Sequence, residues 1–522
     1  VLFAIATFFI VLNVVLTAPW QLTGVVGGLD DVVYALGGAE WASGRIPYLQ
    51  FWDNKPPSIY LLNMVMWRLT GGLSGIWWLS LACDLASVVL LYRICARLYH
   101  PTAALLAVTL FVVAMLPFVD PNVVNTFIVL LNIVALDIAT RRLAAGRRAA
   151  STGVWIGLIW SFSFLLRPNA VLLQSWLVLL LASDLVRRDG VRRAGAFMGF
   201  AAAGALAYAV PVIVYFWLHH ALPGLLDCVV RFNATYVAGR FGDHIKVLMF
   251  GIPIAAGGSV FLAVCASVWV ISTRSLQQQP IMRVLEWSLV PLLALEMALA
   301  SASGRPFGDY FEPPILLVAL VVACFVTRLL ARLSVSPGVP AAIWPVARAC
   351  VFAGLLAPGL LWFIDARGAT LTGKGFWFNA SITQLRDYLR DNAAHGKPGN
   401  DKIFVWGNMP GAYLLPGVSA DERYSFILPF LIAGYVDQKM VGDLISEMEQ
   451  RRPRLIIDTS PSDDVPPLAS FVPGRVPKEP SWETWQVTPP LARFYDYVRD
   501  NYVLDSSSTN GLFLVYRRRN DG

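Results

Sequence analysis

The sequence is short of charge: only 14% of its 522 residues are Asp, Glu, Lys or Arg. Soluble globular proteins carry roughly a quarter, so that class is excluded. Disorder is excluded as well, because it needs low hydrophobicity and 57% of this chain is hydrophobic. Histidine is scarce, at five residues, and the six cysteines form no CxxC pair. No His/Cys spacing fits a zinc site. Cys83, Cys95, Cys265, Cys324 and Cys350 fall in or beside apolar runs and read, like Cys228, as small buried residues. A glycine-rich phosphate cradle is missing, and so is any internal repeat.

What is present is a series of apolar runs of bilayer-spanning length, about 17–25 residues for a helix. Spans are expected near 1–18, 76–98, 102–118, 122–140, 151–166, 170–186, 194–218, 246–272, 285–302, 313–329 and 342–364, about eleven in all. The chain starts at Val1 without a methionine, so a short preceding stretch is expected, and Val1–Ala18 is taken as a span and not a signal peptide. The net charge of +7 could favour nucleic acid in a soluble protein. Here the basic residues sit in short loops: Arg141, Arg142, Arg147 and Arg148; Arg187, Arg188, Arg192 and Arg193; Arg274 and Arg283; Arg328, Arg332 and Arg348. The positive-inside rule places these in the cytoplasm, and parity places the C-terminus outside. Nucleic acid is not an expected partner.

Residues 1–364 thus read as a transmembrane module, with a first outer loop at 19–75. Segment 58–70 is too short to span and reads as an interfacial helix with Trp67 and Arg68 at headgroup level. Residues 365–522 change character. Helical spacing at 381–394, 438–452 and 490–502 alternates with strand-like runs at 401–407, 453–460 and 511–518. A small extracytoplasmic α/β domain is expected there, with 459–490 as a proline- and serine-rich surface loop.

Five outer-side clusters carry candidate chemistry. Asp30-Asp31, with Tyr34, offers a general base or metal ligand, or merely caps a helix. Lys55, in Asp53-Asn54-Lys55-Pro56-Pro57, is either held rigidly beside a phosphate or snorkels to water. Asp120-Pro121 is a turn between spans. Arg167-Pro168-Asn169 is basic on the side where basic residues are rare, which favours an anion ligand. Arg305, Asp309, Tyr310 and Glu312 form the fifth cluster, in which Arg305 is also open to an ion pair. Together, acids and three cations on one membrane face suit a phosphorylated lipid substrate.

The run Asp30–Leu62 resembles the first outer loop of the GT-C glycosyltransferases, in the branch of the protein O-mannosyltransferases and aminoarabinose lipid A transferases. The similarity rests on Asp30-Asp31, Tyr34, Gly44-Arg45-Ile46-Pro47-Tyr48 and Lys55-Pro56, and more loosely on Asp120-Pro121, Arg167-Pro168-Asn169, Gly304-Arg305-Pro306 and the tail segments 405–415 and 455–460. It implies a GT-C fold and an inverting transfer of sugar from polyprenyl phosphate to a hydroxyl on a glycan, lipid or protein. It implies that Asp30 is the catalytic base and that Lys55, with Arg167 and Arg305, binds the donor phosphate. Asp120 would position the acceptor or orient a cation. Asp31, Tyr34, Asp309 and Tyr310 would line the substrate site, and loop 219–245 would cover it, with Arg231, Asn233 and Tyr236 facing the sugar. Asp31 and Asn54 depart from the branch, which has Glu at the first and can have Glu at the second. No cofactor is expected; a divalent metal stays open, with His219-His220 as either ligands or solvated residues. The expected location is the plasma membrane, in contact with membrane lipid. Two other classes compete: an O-antigen ligase or polymerase, and a transporter of lipid-linked sugar.

Overall fold

The computed structural model describes residues 29–118, 122–145, 149–237, 241–334, 377–391, 401–415, 417–419, 422–461, 465–468, 488–507 and 511–519, with single positions 357, 361 and 364. The expected span 1–18, all but those three positions of the expected span 342–364, and Asp120, Arg147, Arg148 and Arg348, lie outside them. The chain forms two compact units. Among the described residues, one holds 77–215 and 241–334; the other gathers 29–76 and 216–237 with those from 377 onward. Segments 29–76 and 216–237 therefore group with the described C-terminal residues.

The second unit begins with two helices, α1 (Leu29–Ala42) and α2 (Ser58–Thr70), packed as a hairpin. Close packing needs glycine: a Cβ on Gly38 would collide with Asn63 of α2. Gly71 closes α2 in the left-handed conformation, its N–H bonded to the Trp67 carbonyl.

Among the described residues, the regular structure of the first unit is all helical. Its helices are α3 (Ser74–Leu98), α4 (Pro101–Met115), α5 (Val124–Ala145), α6 (Ala149–Phe164), α7 (Leu172–Asp189), α8 (Val191–Leu218), α9 (Phe241–Ala255), α10 (Val260–Ser272), α11 (Pro280–Ala300) and α12 (Glu312–Ser334). Among the described residues, four are long and apolar enough to cross a membrane: α3, α8, α11 and α12. The expected span 246–272 is not one helix. It breaks into α9 and α10, bent by 92°, where Gly257 and Gly258 both take positive φ.

Helix α12 is apolar all round from Ile315 to Val326, and such a stretch is buried. It packs against α4, α5, α10 and α11, with Ile315–Cys324 almost free of solvent contact. Helix α8 does the opposite. Leu206, Val210, Ile213 and Trp217 are exposed along it, as expected of a surface that meets lipid. Its inner side meets α6 through small residues: a Cβ on Gly157 would strike the Ala201 carbonyl, and one on Gly204 the Val154 carbonyl.

The rest of the second unit contains helices α13 (Trp377–Asp391), α14 (Gln438–Arg451) and α15 (Ala492–Asn501). They accompany a five-stranded sheet of order β2-β1-β3-β5-β4, with β1 (Asp401–Trp406), β2 (Val418–Ser419), β3 (Leu455–Asp458), β4 (Tyr502–Ser507) and β5 (Leu514–Arg518). Pairs β1–β2 and β1–β3 are parallel; β3–β5 and β4–β5 are antiparallel. Ile403, Val405, Leu455, Ile457 and Val515 pack with Ile382 and Leu385 of α13. Strands β2 and β4 were not expected from the sequence. Segment 219–237, expected as a loop, is helical: turns at Leu222–Leu226 and Asn233–Tyr236 flank a π-helix at Asp227–Phe232.

Candidate active site

Asp30 and Tyr34 are one helical turn apart on α1, so their side chains meet. The Tyr34 hydroxyl donates to Asp30 Oδ2 at 2.8 Å. Burial, and after it the Asp30 charge, hold the Tyr34 phenol well above its usual range, so it stays a donor. Lys55 reaches the same carboxylate oxygen from the loop before α2, with Nζ 3.2 Å from Oδ2. Asp30 is 56% exposed; it is held by two donors yet open to a reactant. Asp31, next in sequence, is 3% exposed and accepts the Val32 N–H at 3.0 Å. It offers a ligand almost no surface.

The loop that carries Lys55 is fixed from several directions. Tyr48, itself at positive φ, donates its hydroxyl to the Lys55 carbonyl at 2.7 Å. Asn233 donates to the Asn54 carbonyl at 2.8 Å, and Asn54 donates back to Asn233 Oδ1 at 3.1 Å. Asn233, expected to face a sugar, thus braces the lysine loop. Tyr236 stacks on Phe232, and Arg231 pairs with Asp227 at 2.9 Å. His219 and His220 are exposed.

A second constellation lies in the helical unit. Arg167 donates through Nη1 to Asn125 Oδ1 and through Nε to Asn169 Oδ1 at 3.0 Å. Its guanidinium sits 4.4 Å from the centre of the Tyr310 ring. Asn125 also donates to the Asp309 carbonyl, and to Asp309 Oδ2 at 3.3 Å. Arg167, Asp309 and Tyr310 are therefore brought together, with Asn125 as their hub. Arg305, half-buried, lies in the turn ahead of them, its N–H bonded to Ser303 Oγ at 3.2 Å.

Comparison with known proteins now bears on these groups. Residues 54–215 match the profile of the dolichyl-phosphate-mannose-protein mannosyltransferase family, a stretch that includes Lys55 and Arg167 but not Asp30. No curated protein matched. The chain superposes on ArnT from Cupriavidus metallidurans, solved bound to undecaprenyl phosphate. The TM-score is 0.61 at 14% identity, over 99% of this chain and 98% of that one. The chain therefore shares the fold of ArnT over its whole length. It is also similar to the oligosaccharyltransferase AglB from Archaeoglobus fulgidus, solved with an inhibitory peptide and a dolichol-phosphate, at TM-score 0.47 and 12% identity over 88% of this chain and 69% of that one.

Two residues of the candidate site were not singled out from the sequence. Asn125 is one; a polar residue near the start of an apolar run was the available signal. The other is Asp53, which is 2% exposed and accepts the Lys55 N–H at 3.1 Å. Burial, and after it the nearby Asp30 charge, push its carboxyl from 3.8 up to about 6, against the opposing pull of Lys55. Among the described residues, no three His, Cys, Asp or Glu side chains gather as a metal-binding group.

The Asp53 shift carries a stability prediction. The folded state holds a proton on Asp53 between pH 4 and 6 that the unfolded chain has released. Its contribution is full below about pH 4 and is lost as pH rises through 6. Asp53→Asn should abolish that decline and stabilise the protein at pH 7 by up to about 3 kcal/mol. Thermal unfolding of the detergent-solubilised protein at pH 4–7 checks it; an unchanged pH profile in the variant would contradict it.

Proposed function

We propose that this protein is a glycosyltransferase that moves a sugar from a polyprenyl-phosphate carrier to an acceptor hydroxyl. The observation that carries the reading is the exposed Asp30 carboxylate held between the Tyr34 hydroxyl and Lys55 Nζ. The likeness to a family named for a dolichyl-phosphate-mannose donor, and to a fold solved with undecaprenyl phosphate, supports the lipid-phosphate class.

The acceptor hydroxyl attacks the anomeric carbon as the bond to the carrier phosphate breaks. Asp30 takes the hydroxyl proton late, in the transition state. The departing polyprenyl phosphate gains negative charge, which Lys55 stabilises. A donor phosphate competes with Asp30 for Lys55, and its arrival releases the carboxylate for proton transfer. Arg167 is a second candidate cation, already oriented by Asn125 and Tyr310. No step needs a cofactor. The acceptor is a glycan, lipid or protein, and the reaction belongs on the extracytoplasmic face of the plasma membrane, the side opposite the arginine-rich helix ends.

Lys55→Ala should raise the donor KM and lower kcat. The combined loss in kcat/KM is about 10- to 100-fold, the size of a lost hydrogen bond to a charged group. Transfer assays with purified protein in lipid nanodiscs test this. Unchanged kinetics would make Lys55 an anchor of the loop and nothing more.

A further inference from the structure

Helices α5 and α12 carry the Arg167 constellation at one end and a different polar centre at the other. Asn125 and Ala144, near the two ends of α5, are about 28 Å apart along the helix. At the Ala144 end is a cavity of about 360 Å³, lined by Arg97, Gln277, Gln278, Gln279, Glu286 and Arg328. That volume is at the lower end of the range for small-ligand pockets, roughly 300–1,000 Å³. The wall beside the polar groups is apolar, formed by Leu98, Leu276 and Met282.

The charges around it leave an excess of cation. Arg97 Nη2 meets Asp137 at 2.6 Å, and Arg141 meets the other oxygen of the same carboxylate at 2.8 Å. Arg328 pairs with Glu286 at 2.6 Å. Three guanidinium groups thus face two carboxylates. Arg328 is buried, and its Nε has no hydrogen-bond partner. Arg97 is 27% exposed; its bonds to Thr140 and Asp137 occupy two of its five N–H donors. The lining therefore has free donors, two guanidinium groups against one carboxylate, three neutral amides and an apolar wall. A metal ion is not favoured by such a set, whereas an amphiphile with an anionic head is.

We propose that this cavity binds the phosphate headgroup of an anionic membrane lipid, with Arg97 as its principal contact and the acyl chains leaving past Leu98 and Leu276. The headgroup supplies the negative charge that the lining, with Arg97 and Arg328 against Glu286 alone, lacks. It joins the ends of α3, α5, α11 and α12 at a point far from the Arg167 constellation.

The test is native mass spectrometry of the full chain released from nanodiscs containing phosphatidylglycerol and phosphatidylcholine. Wild type should retain one phosphatidylglycerol in preference to phosphatidylcholine. Arg97→Gln should reduce retention about tenfold, because Asp137 remains paired with Arg141 and the fold is undisturbed. Arg141→Gln, which removes the same charge from outside the cavity lining, should retain the lipid. Gln278→Glu, at an exposed loop position, is the variant to use if Arg97→Gln does not fold; it should also lose the lipid. Equal loss in the Arg97 and Arg141 variants, or equal retention of both lipids, would overturn the assignment. Inorganic phosphate is the competing source. Saturable phosphate binding without lipid retention would replace the lipid with a soluble phosphate compound and equally overturn the proposal.

Discussion

Asp30→Asn is expected to lower kcat about 10²–10⁴-fold while leaving donor binding within a few-fold of wild type. Asparagine keeps the shape of the side chain and can still accept from Tyr34, which lies 2.8 Å away. It cannot take a proton. The ion pair with Lys55 disappears, but Asp30 is more than half exposed, so folding should lose little. Lys55, no longer shared with a carboxylate, should bind donor phosphate at least as tightly. The signature is a low kcat with an unchanged or reduced donor KM. Steady-state transfer kinetics with a lipid-linked donor in nanodiscs provide the check. Turnover near wild type would remove Asp30 from the role of base.

The second large effect concerns folding. Glu286 and Arg328, on α11 and α12, meet at 2.6 Å with side-chain exposures of 5% and 3%. Glu286→Ala leaves the guanidinium buried without its counter-charge, and breaking a buried pair in this way typically costs about 3–5 kcal/mol. The Val270 and Thr273 carbonyls that also accept from Arg328 keep its hydrogen bonds but do not neutralise its charge. Replacing both partners, as in Glu286→Leu with Arg328→Met, should recover most of the loss. Unfolding of the single and double variants in detergent forms the double-mutant cycle. A single-variant loss below about 1 kcal/mol, the range of exposed pairs, would contradict the buried pair.

The residues of the candidate site differ in how far sequence alone could reach them. Asp30 and Tyr34 are four apart, and a helix alone brings them together. Lys55 was marked by the prolines after it, but its meeting with Asp30 depends on how α1 and α2 pack. Asp53 could not be distinguished from an exposed acid, since its burial comes from the packing of Tyr60 and the loop it sits in. Asn233 has the right polarity for a sugar ligand, and only its hydrogen bonds to Asn54 show it bracing the loop.

The fold shows the same division. Runs such as 76–98 and 313–329 are apolar over their full length and became α3 and α12. Apolar content across 246–272 is equally continuous, yet the helix breaks there, at the consecutive Gly257 and Gly258. Arg328 was counted as one more basic residue at a helix end. Charge counting has no access to a buried partner forty-two positions earlier in the chain, and Glu286 is that partner. In the C-terminal part, β1, β3 and β5 were read from continuous apolar runs. Strand β4 was hidden because it follows α15 without a turn, its start at Tyr502 being the C-cap of that helix.

The central claim is that sugar leaves a polyprenyl phosphate at Asp30. Mass spectrometry of polyprenyl-phosphate lipids from cells lacking this protein, complemented with wild type or Asp30→Asn, tests it most directly. The account predicts that one glycosylated polyprenyl phosphate accumulates without the protein and with the variant, and falls to a low level with wild type. A lipid profile identical in all three strains would contradict it.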